Sequence, residues 1–245
     1  MLNVQPLLLN DCVLKSDRVD MWLYPLHADN QEAKLQLSPD EQHRAGRFYF
    51  PRHQRRFTNA HSILRQILAR YINGSPINLN FVAGQYGKPE LVNAPFLQFN
   101  LSHSGDMAIL AVGKDYLLGV DIEHFSARPY YGIGEHLFSK QEIQALKEAP
   151  ASITALTFFN IWTQKEAFIK ACGLGLSYPT QQFDVPILSS TPQIVPDTLH
   201  QRSWQIISFM PQIACCASLC YDTRIQEIRY LALSQDGLRL LEMGV

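Results

Sequence analysis

The sequence predicts an α+β fold with mainly antiparallel sheets. Helical and strand-like patterns alternate along the 245 residues. Several neighbouring strand-like segments are joined by turns of only a few residues, which antiparallel strands allow and parallel strands do not. A break in the pattern at residues 113–116 suggests two parts of comparable size, 1–115 and 116–245.

The first part begins with a strand and two helices. Residues 19–26 alternate between apolar and polar types, as a strand does. Ser38-Pro39-Asp40-Glu41 combines an N-cap serine, a first-turn proline and a capping-box glutamate, so a helix should start there and end near Phe50, before a proline. A second helix is expected over residues 52–71, and the turn residues 73–76 should stop it.

Strands dominate the middle of the chain. The segment 77–82 is strand-like and leads into a glycine-rich turn at 84–89. Further strands are expected at residues 98–102, 107–112 and 116–123.

The second part mixes two helices with late strands. Ser139-Lys140-Gln141-Glu142 is another capping box, which predicts a helix to about Lys147. A long helix is expected over residues 152–172, ended by Gly173. Strands are then expected at residues 203–209, 213–221 and 228–233.

Composition narrows the possible classes of function. A formal net charge of −1 argues against bulk binding to nucleic acid or to an acidic membrane. The first residues lack a basic start, their apolar run covers only residues 7–9, and no stretch is long enough to span a membrane. The five cysteines form no C-x-x-C pair, so a disulfide framework or zinc site is not expected, and reduced thiols indicate a cytoplasmic protein.

Charge is unevenly distributed along the chain. Between Glu41 and Asp106 the only acidic residue is Glu90, whereas acidic residues are frequent beyond Asp106. The same stretch contains eight basic residues: Arg44, Arg47, Arg52, Arg55, Arg56, Arg65, Arg70 and Lys88. This asymmetry suits a ligand that offers phosphates to arginine and a metal to carboxylates. The alternative is a solvated arginine-rich helix face without a ligand.

Two carboxylates lie on the predicted strand Gly119-Val120-Asp121-Ile122-Glu123. Side chains two residues apart share one face of a strand, so Asp121 and Glu123 should point the same way while Val120 and Ile122 enter the core. Carboxylates this close favour a bound cation, and a few oxygen ligands suit Mg²⁺, which keeps waters and binds phosphates. The alternative is a solvated edge strand.

A third carboxylate lies on the predicted long helix. Trp162, Glu166 and Lys170 recur every four residues and should share one face. Glu166 could join the metal ligands, and Lys170 could reach a phosphate beside the metal. The alternative is an ordinary surface pair, which would contribute about 0.3–0.5 kcal/mol.

Polar residues also follow the strand near residue 100. In Asn100-Leu101-Ser102-His103-Ser104, His103 could contact a phosphate, act as a base or cap the turn. The serines lack the G-x-S-x-G context of a hydrolase nucleophile. The glycine-rich turn that carries Lys88 does not match a phosphate-binding loop.

Together these clusters resemble the larger, monomeric class of 4′-phosphopantetheinyl transferases. The family patterns are G-[IV]-D-[IL]-E at 119–123, W-[ST]-x-K-E-[AS]-x-x-K at 162–170, F-N-[IL]-S-H-S at 99–104 and G-K-P at 87–89. The resemblance extends from about residue 38 to residue 179. Each motif alone is modest, but their ordered combination is highly specific.

The resemblance implies two similar α+β halves related by a pseudo-twofold axis, with coenzyme A in the cleft between them. The half 1–115 would hold the 3′-phosphate and adenine, and the half 116–245 would hold magnesium and perform the chemistry. The implied metal ligands are Asp121, Glu123 and Glu166, and the implied catalytic residues are Glu166 and Lys170. The implied coenzyme A contacts are Arg44, Arg56, Lys88, Pro89, Ser102, His103 and Lys170.

Two positions depart from the family pattern. Glu41 stands where the family often has a basic residue, so one phosphate contact could be missing or be replaced by Arg47. The segment 130–138 also differs from the commoner pattern, which affects the expected docking of the carrier.

The resemblance implies a Mg²⁺-dependent monomeric enzyme. It would transfer phosphopantetheine from coenzyme A to a serine of an apo carrier protein of fatty-acid, polyketide or peptide synthesis, and release adenosine 3′,5′-bisphosphate. Neither nucleic acid nor membrane is an expected partner. The alternatives are a metal-dependent nucleotide phosphohydrolase and a carrier-binding module without catalytic activity.

Overall fold

A computed structural model describes residues 12–28 and 32–233 of the chain. The chain forms two compact units that are not consecutive in sequence. The first unit draws on Met1–Val82, Pro89–Asp115 and Glu227–Val245, and the second on Ala83–Lys88 and Tyr116–Gln226. The predicted α+β class with mainly antiparallel sheets is confirmed.

The described ranges contain ten strands. In chain order these are β1 (Arg18–Pro25), β2 (Phe81–Ala83), β3 (Pro89–Leu91), β4 (Leu97–Ser104), β5 (Met107–Lys114), β6 (Leu118–His124), β7 (Gln193–Asp197), β8 (Arg202–Phe209), β9 (Cys215–Asp222) and β10 (Glu227–Ala232).

Five α-helices occur in the same ranges. They are α1 (Pro39–Gly46), α2 (Pro51–Tyr71), α3 (Tyr130–Leu137), α4 (Lys140–Glu148) and α5 (Thr154–Cys172). Within the described part of the chain, none of the helices has the length and apolar character that crossing a membrane requires.

The first unit packs helix α2 against a four-stranded sheet. The strand order is β10-β1-β5-β4, in which β1 pairs antiparallel with β5 and parallel with β10. Buried apolar residues of α2, such as Ile67 and Leu68, share a core with Trp22 of β1 and Leu110 of β5. This burial, rather than intrinsic propensity alone, stabilises the long helix.

The second unit packs helix α5 against an antiparallel sheet. The strand order is β6-β9-β8-β7, and every neighbouring pair is antiparallel. Phe158, Phe159 and Phe168 of α5 lie in the core with Trp204 of β8. Each unit thus has one four-stranded sheet and one long helix, in agreement with the expected similarity of the halves.

Both predicted capping boxes are confirmed. Ser38 accepts a hydrogen bond from the backbone N–H of Glu41, whose carboxylate in turn accepts from the backbone N–H of Ser38. Ser139 and Glu142 make the same reciprocal pair at the start of α4. Helix α1 ends earlier than the expected Phe50, because Gly46 is unfavourable inside a helix.

One local prediction was wrong, and two elements were not predicted. Residues 77–82 do not form one strand, because Pro76–Asn78 is a short 3₁₀ helix and β2 begins only at Phe81. Helix α3 was not predicted, since it has no side-chain cap and contains two glycines. Strand β7 was also missed, because Pro196 and three exposed side chains hide its pattern.

Candidate active site

Helix α5 leaves only one narrow stripe accessible to solvent along residues 157–171. In this range every residue is buried except Trp162, Glu166 and Lys170, which are each half-buried. The three positions are four residues apart, so they lie above one another on one helix face. The otherwise buried helix α5 therefore presents the carboxylate of Glu166 and the ammonium of Lys170 on the same face.

Strand β6 lies unusually close to this helix. A Cβ atom at Gly119 would lie 2.1 Å from the carbonyl oxygen of Ala167 and 2.3 Å from the amide nitrogen of Ala171. Only glycine allows the two backbones to approach this closely. The first residue of the G-V-D-I-E motif therefore fixes the distance between β6 and α5, and with it the distance between their polar side chains.

Charged side chains from β6 and α5 meet beside this contact. Lys170 donates from Nζ to Oδ1 of Asp121 at 2.6 Å and to the carbonyl oxygen of Val120 at 3.2 Å. Burial raises the pKa of Glu166, and the nearby carboxylates of Asp121 and Glu123 raise it further, while Lys170 opposes them. These electrostatic effects show that the predicted residues Asp121, Glu123, Glu166 and Lys170 form one cluster.

This cluster has the donor set of a hard-cation site. Three carboxylates supply only oxygen ligands, which suits Mg²⁺ better than a metal that prefers nitrogen or sulfur. Burial and, after it, the charges of Asp121 and Glu123 raise the pKa of Glu166, and a divalent cation would offset both effects. The residues present therefore fit the metal that the sequence implied.

Arg128 belongs to the border of the same cluster. Its guanidinium stacks over Phe159 and Trp162, with centroid distances of 5.3 and 6.0 Å. One of its nitrogens, Nη2, lies 3.5 Å from Oε2 of Glu123. The sequence suggests Arg128 as one candidate carrier contact, because it closely follows β6. Its stacking on α5 was not predicted, since those partners lie more than thirty residues away.

A pocket opens next to Glu166. It is narrow, with room for about one water molecule, and is lined mainly by apolar side chains, including Leu137, Trp162 and Ile169. Phe138 is buried in the core. It contributes to the wall of the pocket but offers no surface to a partner.

Lys165 of the W-x-x-K-E motif has a different environment from Glu166 and Lys170. It is buried and donates to the carbonyl oxygens of Thr180 and Phe183 at 2.5 and 2.8 Å. It also forms an ion pair of 2.9 Å with Glu142, the capping-box residue of α4. Burial lowers the pKa of Lys165 and raises that of Glu142, and the charge of each group opposes this shift in the other. Loss of either partner would therefore leave the other as an uncompensated buried charge.

The expected phosphate-binding residues of the first unit are already engaged in part. Arg56 donates from Nε to Oδ1 of Asp106 at 2.8 Å. Hydrogen bonding to Arg56 lowers the pKa of Asp106, and the charges of Arg55 and His27 lower it further. Arg44 is exposed and lies over the ring of Phe57 at 5.1 Å. A phosphate that binds Arg56 would therefore compete with the carboxylate of Asp106.

Glu41 is satisfied within the first unit. Burial alone would raise the pKa of its carboxyl group, but hydrogen bonds from His61, the Ser38 backbone and Arg65 lower it to about 2. Arg65 reaches Oε2 of Glu41 at 2.7 Å. Glu41 thus joins α1 to α2 as a structural residue, and its charge is compensated without a ligand.

The remaining candidate positions lie on strands and a turn. Ser102 and His103 are neighbours on β4, and Ser102 is buried whereas His103 is exposed. Lys88 donates from Nζ to the carbonyl oxygen of Leu118 at 2.8 Å, which ties the glycine-rich turn to β6. Pro89 is exposed at the start of β3. A role of these four residues in ligand binding stays a prediction.

Comparison with known proteins adds an independent result. Residues 117–217 match the model of the "4′-phosphopantetheinyl transferase superfamily", and residues 21–115 match "4′-phosphopantetheinyl transferase, N-terminal". Together the two models span most of the described residues.

Curated relatives agree with these family models. The 4′-phosphopantetheinyl transferase HetI of Nostoc sp. is 34% identical over 220 residues, which cover 84% of this chain and 88% of the relative. The 4′-phosphopantetheinyl transferase Sfp of Bacillus subtilis is 31% identical over 66% of this chain and 71% of its own length. The human L-aminoadipate-semialdehyde dehydrogenase-phosphopantetheinyl transferase is 29% identical over 66% of this chain and 56% of its own length.

Proposed function

This chain belongs to the 4′-phosphopantetheinyl transferase superfamily, and we propose that it uses Mg²⁺ to transfer phosphopantetheine from coenzyme A to a serine of an apo carrier protein. One observation carries the proposal. Asp121, Glu123, Glu166 and Lys170 form a single half-buried cluster on β6 and α5, and these are the residues that the family motifs mark.

The cluster suits a pyrophosphate substrate. Asp121, Glu123 and Glu166 are the residues that would hold Mg²⁺, which when bound would neutralise charge on the phosphate oxygens. Lys170 adds a positive charge on the same side. Because Lys170 already bonds Asp121 at 2.6 Å, its ammonium is held in position before substrate arrives.

Glu166 is our candidate for the general base. Its carboxylate is half-buried on the face of α5 that also carries Lys170, where it would lie beside the reacting groups. It would accept the proton of the carrier serine at a carboxylate oxygen while the serine oxygen bonds to the phosphorus nearest the pantetheine. The bond from that phosphorus to the bridging oxygen breaks, and adenosine 3′,5′-bisphosphate leaves. Positioning and electrostatics would supply most of the catalysis.

Leu137, Trp162 and Ile169 give the site an apolar surface beside Glu166. We propose that the pantetheine arm packs along this surface while the charged end of the substrate faces Lys170. Arg128 borders the carboxylates and is our candidate for contact with an acidic carrier surface.

The other coenzyme A contacts are proposed from the family motifs. Arg44, Arg56 and His103 would contact the 3′-phosphate, with Ser102 beside them, and Lys88 and Pro89 would lie near the adenine. Arg44, His103 and Pro89 are exposed, as the proposed contacts require. We further propose that the enzyme acts as a monomer in the cytoplasm.

A mass spectrum of an apo carrier protein tests the proposed function. The carrier is incubated with the full chain, Mg²⁺ and coenzyme A, and the expected result is a carrier that gains the mass of phosphopantetheine. Cleaved coenzyme A without a labelled carrier would identify a phosphohydrolase instead. No change in either molecule would identify a carrier-binding module, and either result would overturn the proposal.

A further inference from the structure

Three possible metal ligands converge at the C-terminal end of α5, in the second unit. The Sγ of Cys172, the carboxylate of Asp197 and a ring nitrogen of His200 all lie within 4.8 Å of one another. Cys172 is the last residue of α5, Asp197 ends β7, and His200 lies in the turn that follows. None of the three belongs to the carboxylate cluster described above.

One of the two ligand distances at Asp197 matches a tetrahedral zinc site. The contact of Cys172 has the zinc spacing, whereas that of His200 is a shorter hydrogen bond that would lengthen when a metal binds. Sγ of Cys172 is 3.4 Å and Nδ1 of His200 is 2.8 Å from Oδ2 of Asp197. With zinc bonds of about 2.0–2.3 Å, neighbouring ligand atoms are roughly 3.3–3.5 Å apart. We propose that Cys172, Asp197 and His200 form a second metal site, which takes a zinc-like divalent cation.

Asp197 has the surroundings of an oriented ligand. Its buried carboxylate accepts hydrogen bonds from Tyr178 Oη at 2.8 Å and from Trp204 Nε1 at 3.2 Å. The backbone N–H of His200 also donates to Oδ1 at 3.2 Å. None of these donors competes for the metal, so they would remain as the outer hydrogen bonds that orient a ligating carboxylate.

The other two hydrogen bonds to Asp197 are the ones that a metal would replace. Cys172 donates its thiol proton and His200 donates from Nδ1, and both atoms are metal ligands once the proton is gone. Binding of M²⁺ therefore releases the thiol proton to solvent, while the proton of the neutral His200 ring moves from Nδ1 to Nε2, so that Nδ1 can bind the metal. The oxidation states of the metal and of the cysteine sulfur do not change.

The ligand set selects the class of metal. Thiolate and imidazole favour zinc and similar ions over Mg²⁺, which prefers oxygen. Burial raises the pKa of Cys172, and the charge of Asp197 raises it further, so the ion must bind sulfur strongly enough to displace the proton. His200 has 29% of its side chain exposed, which leaves solvent access for a water as fourth ligand.

Some charges near the site favour binding of a cation, and others oppose it. The C-terminal end of α5 carries partial negative charge, which favours a cation at Cys172. Arg202 and Lys88 lie near enough to lower the pKa of Cys172, which helps the thiol to ionise but opposes the cation. A bound ion would tie the end of α5, two residues beyond Lys170, to the turn after β7.

Cobalt titration of the full chain tests the site. Co²⁺ bound to a thiolate gives a near-ultraviolet charge-transfer band, and we expect this band to saturate at one equivalent and to disappear when Zn²⁺ is added. Cys172→Ser should abolish the band, and His200→Ala should weaken cobalt binding at least about tenfold. Cys12→Ser, on the other unit, is the matched control and should keep the band.

The design separates this site from the proposed magnesium site. Glu166→Gln removes a magnesium ligand but no sulfur, so the cobalt–thiolate band should survive in that variant. Cys172→Ala serves as a second variant, and thermal unfolding without metal verifies that each protein folds. Absence of the band in the unsubstituted protein, or its persistence in both Cys172 variants, would overturn the proposal.

Discussion

Nζ of Lys170 on helix α5 lies 2.6 Å from Oδ1 of Asp121 on strand β6. The pair joins the two elements that also carry Glu166 and Glu123, so one short ion pair holds the charged groups of the proposed active site together. Neither partner is fully exposed, since the side chains retain 27% and 7% of their accessible surface.

Replacement of Glu166 by glutamine should abolish most transfer while the fold persists, because the side chains are nearly isosteric. Loss of a general base typically costs about 10²–10⁴-fold in rate. The measurement is the rate of carrier labelling by mass spectrometry at saturating coenzyme A and Mg²⁺. Glu148→Gln, an exposed change on α4, is the control and should retain normal activity. Normal turnover of Glu166→Gln would remove this residue from the mechanism.

The pKa of Glu166 also predicts how stability depends on pH in the absence of metal. Because burial and the carboxylates of Asp121 and Glu123 raise this pKa, the folded protein holds a proton that the unfolded chain loses above about 4.5. Stability should therefore fall as pH rises through the folded pKa. Glu166→Gln should lack this fall and unfold at a higher temperature than the unsubstituted protein near pH 8 in EDTA. Parallel curves for the two proteins would contradict the assignment.

Loss of Asp121 should raise the requirement for magnesium. Asp121→Ala leaves two of the three proposed carboxylate ligands, and the Mg²⁺ concentration at half-maximal activity should increase at least about tenfold. Asp121→Asn keeps the shape of the buried side chain and serves as a second variant. Glu135→Ala, exposed on α3, is the control. An unchanged midpoint in both Asp121 variants would place the metal elsewhere.

We expect Lys165 to stabilise the fold and to take no part in catalysis. Lys165→Met leaves the buried carboxylate of Glu142 without its cation, which should lower the free energy of unfolding by about 3–5 kcal/mol. Adding Glu142→Gln to this variant should restore part of the lost free energy of unfolding, and urea titration of both proteins measures the difference. Lys147→Met, exposed on α4, should change stability by no more than about 0.5 kcal/mol. A loss equal to that of the control would refute a structural role.

Arg56 should distinguish coenzyme A from dephospho-coenzyme A. A hydrogen bond to a charged group contributes about 1.5–3 kcal/mol, so loss of the 3′-phosphate should weaken binding on the order of tenfold or more. Arg56→Ala should reduce this difference, because it affects only the ligand that carries the phosphate. Asp106→Asn should increase it, since the carboxylate that now binds Arg56 would no longer compete with the phosphate.

Calorimetry of both ligands with each protein, at fixed salt and Mg²⁺, measures the effect. Arg52→Ala, exposed on the same helix, is the control and should leave the difference intact. If the difference between the ligands persists in Arg56→Ala, the residue does not contact the phosphate and its pair with Asp106 is purely structural.

Features with a local cause were predictable from the sequence. The capping boxes at Ser38 and Ser139 and the end of α5 at Gly173 depend on residues within one helical turn, and the structure has all three. The spacing of Glu166 and Lys170 likewise followed from helix periodicity alone.

Features with a distant cause were not predictable. The partner of Lys165 is twenty-three residues away on another helix, and the cluster of Cys172, Asp197 and His200 forms only after β7 has paired with β8. Glu41 seemed to weaken a phosphate site, yet Arg65, on the next helix, compensates its charge. In each case the decisive contact depends on tertiary packing, which cannot be predicted from the pattern of neighbouring residues in the sequence.

The parallel pairing of β1 with β10 has a consequence for how the chain is made. Arg229 of β10 bonds the buried Asp20 of β1 across 209 residues of sequence. During synthesis β1 emerges early, but its edge lacks this partner until the whole segment 116–226 has left the ribosome. The second unit can therefore fold while the first still exposes an open strand edge, the kind of surface that chaperones protect from aggregation.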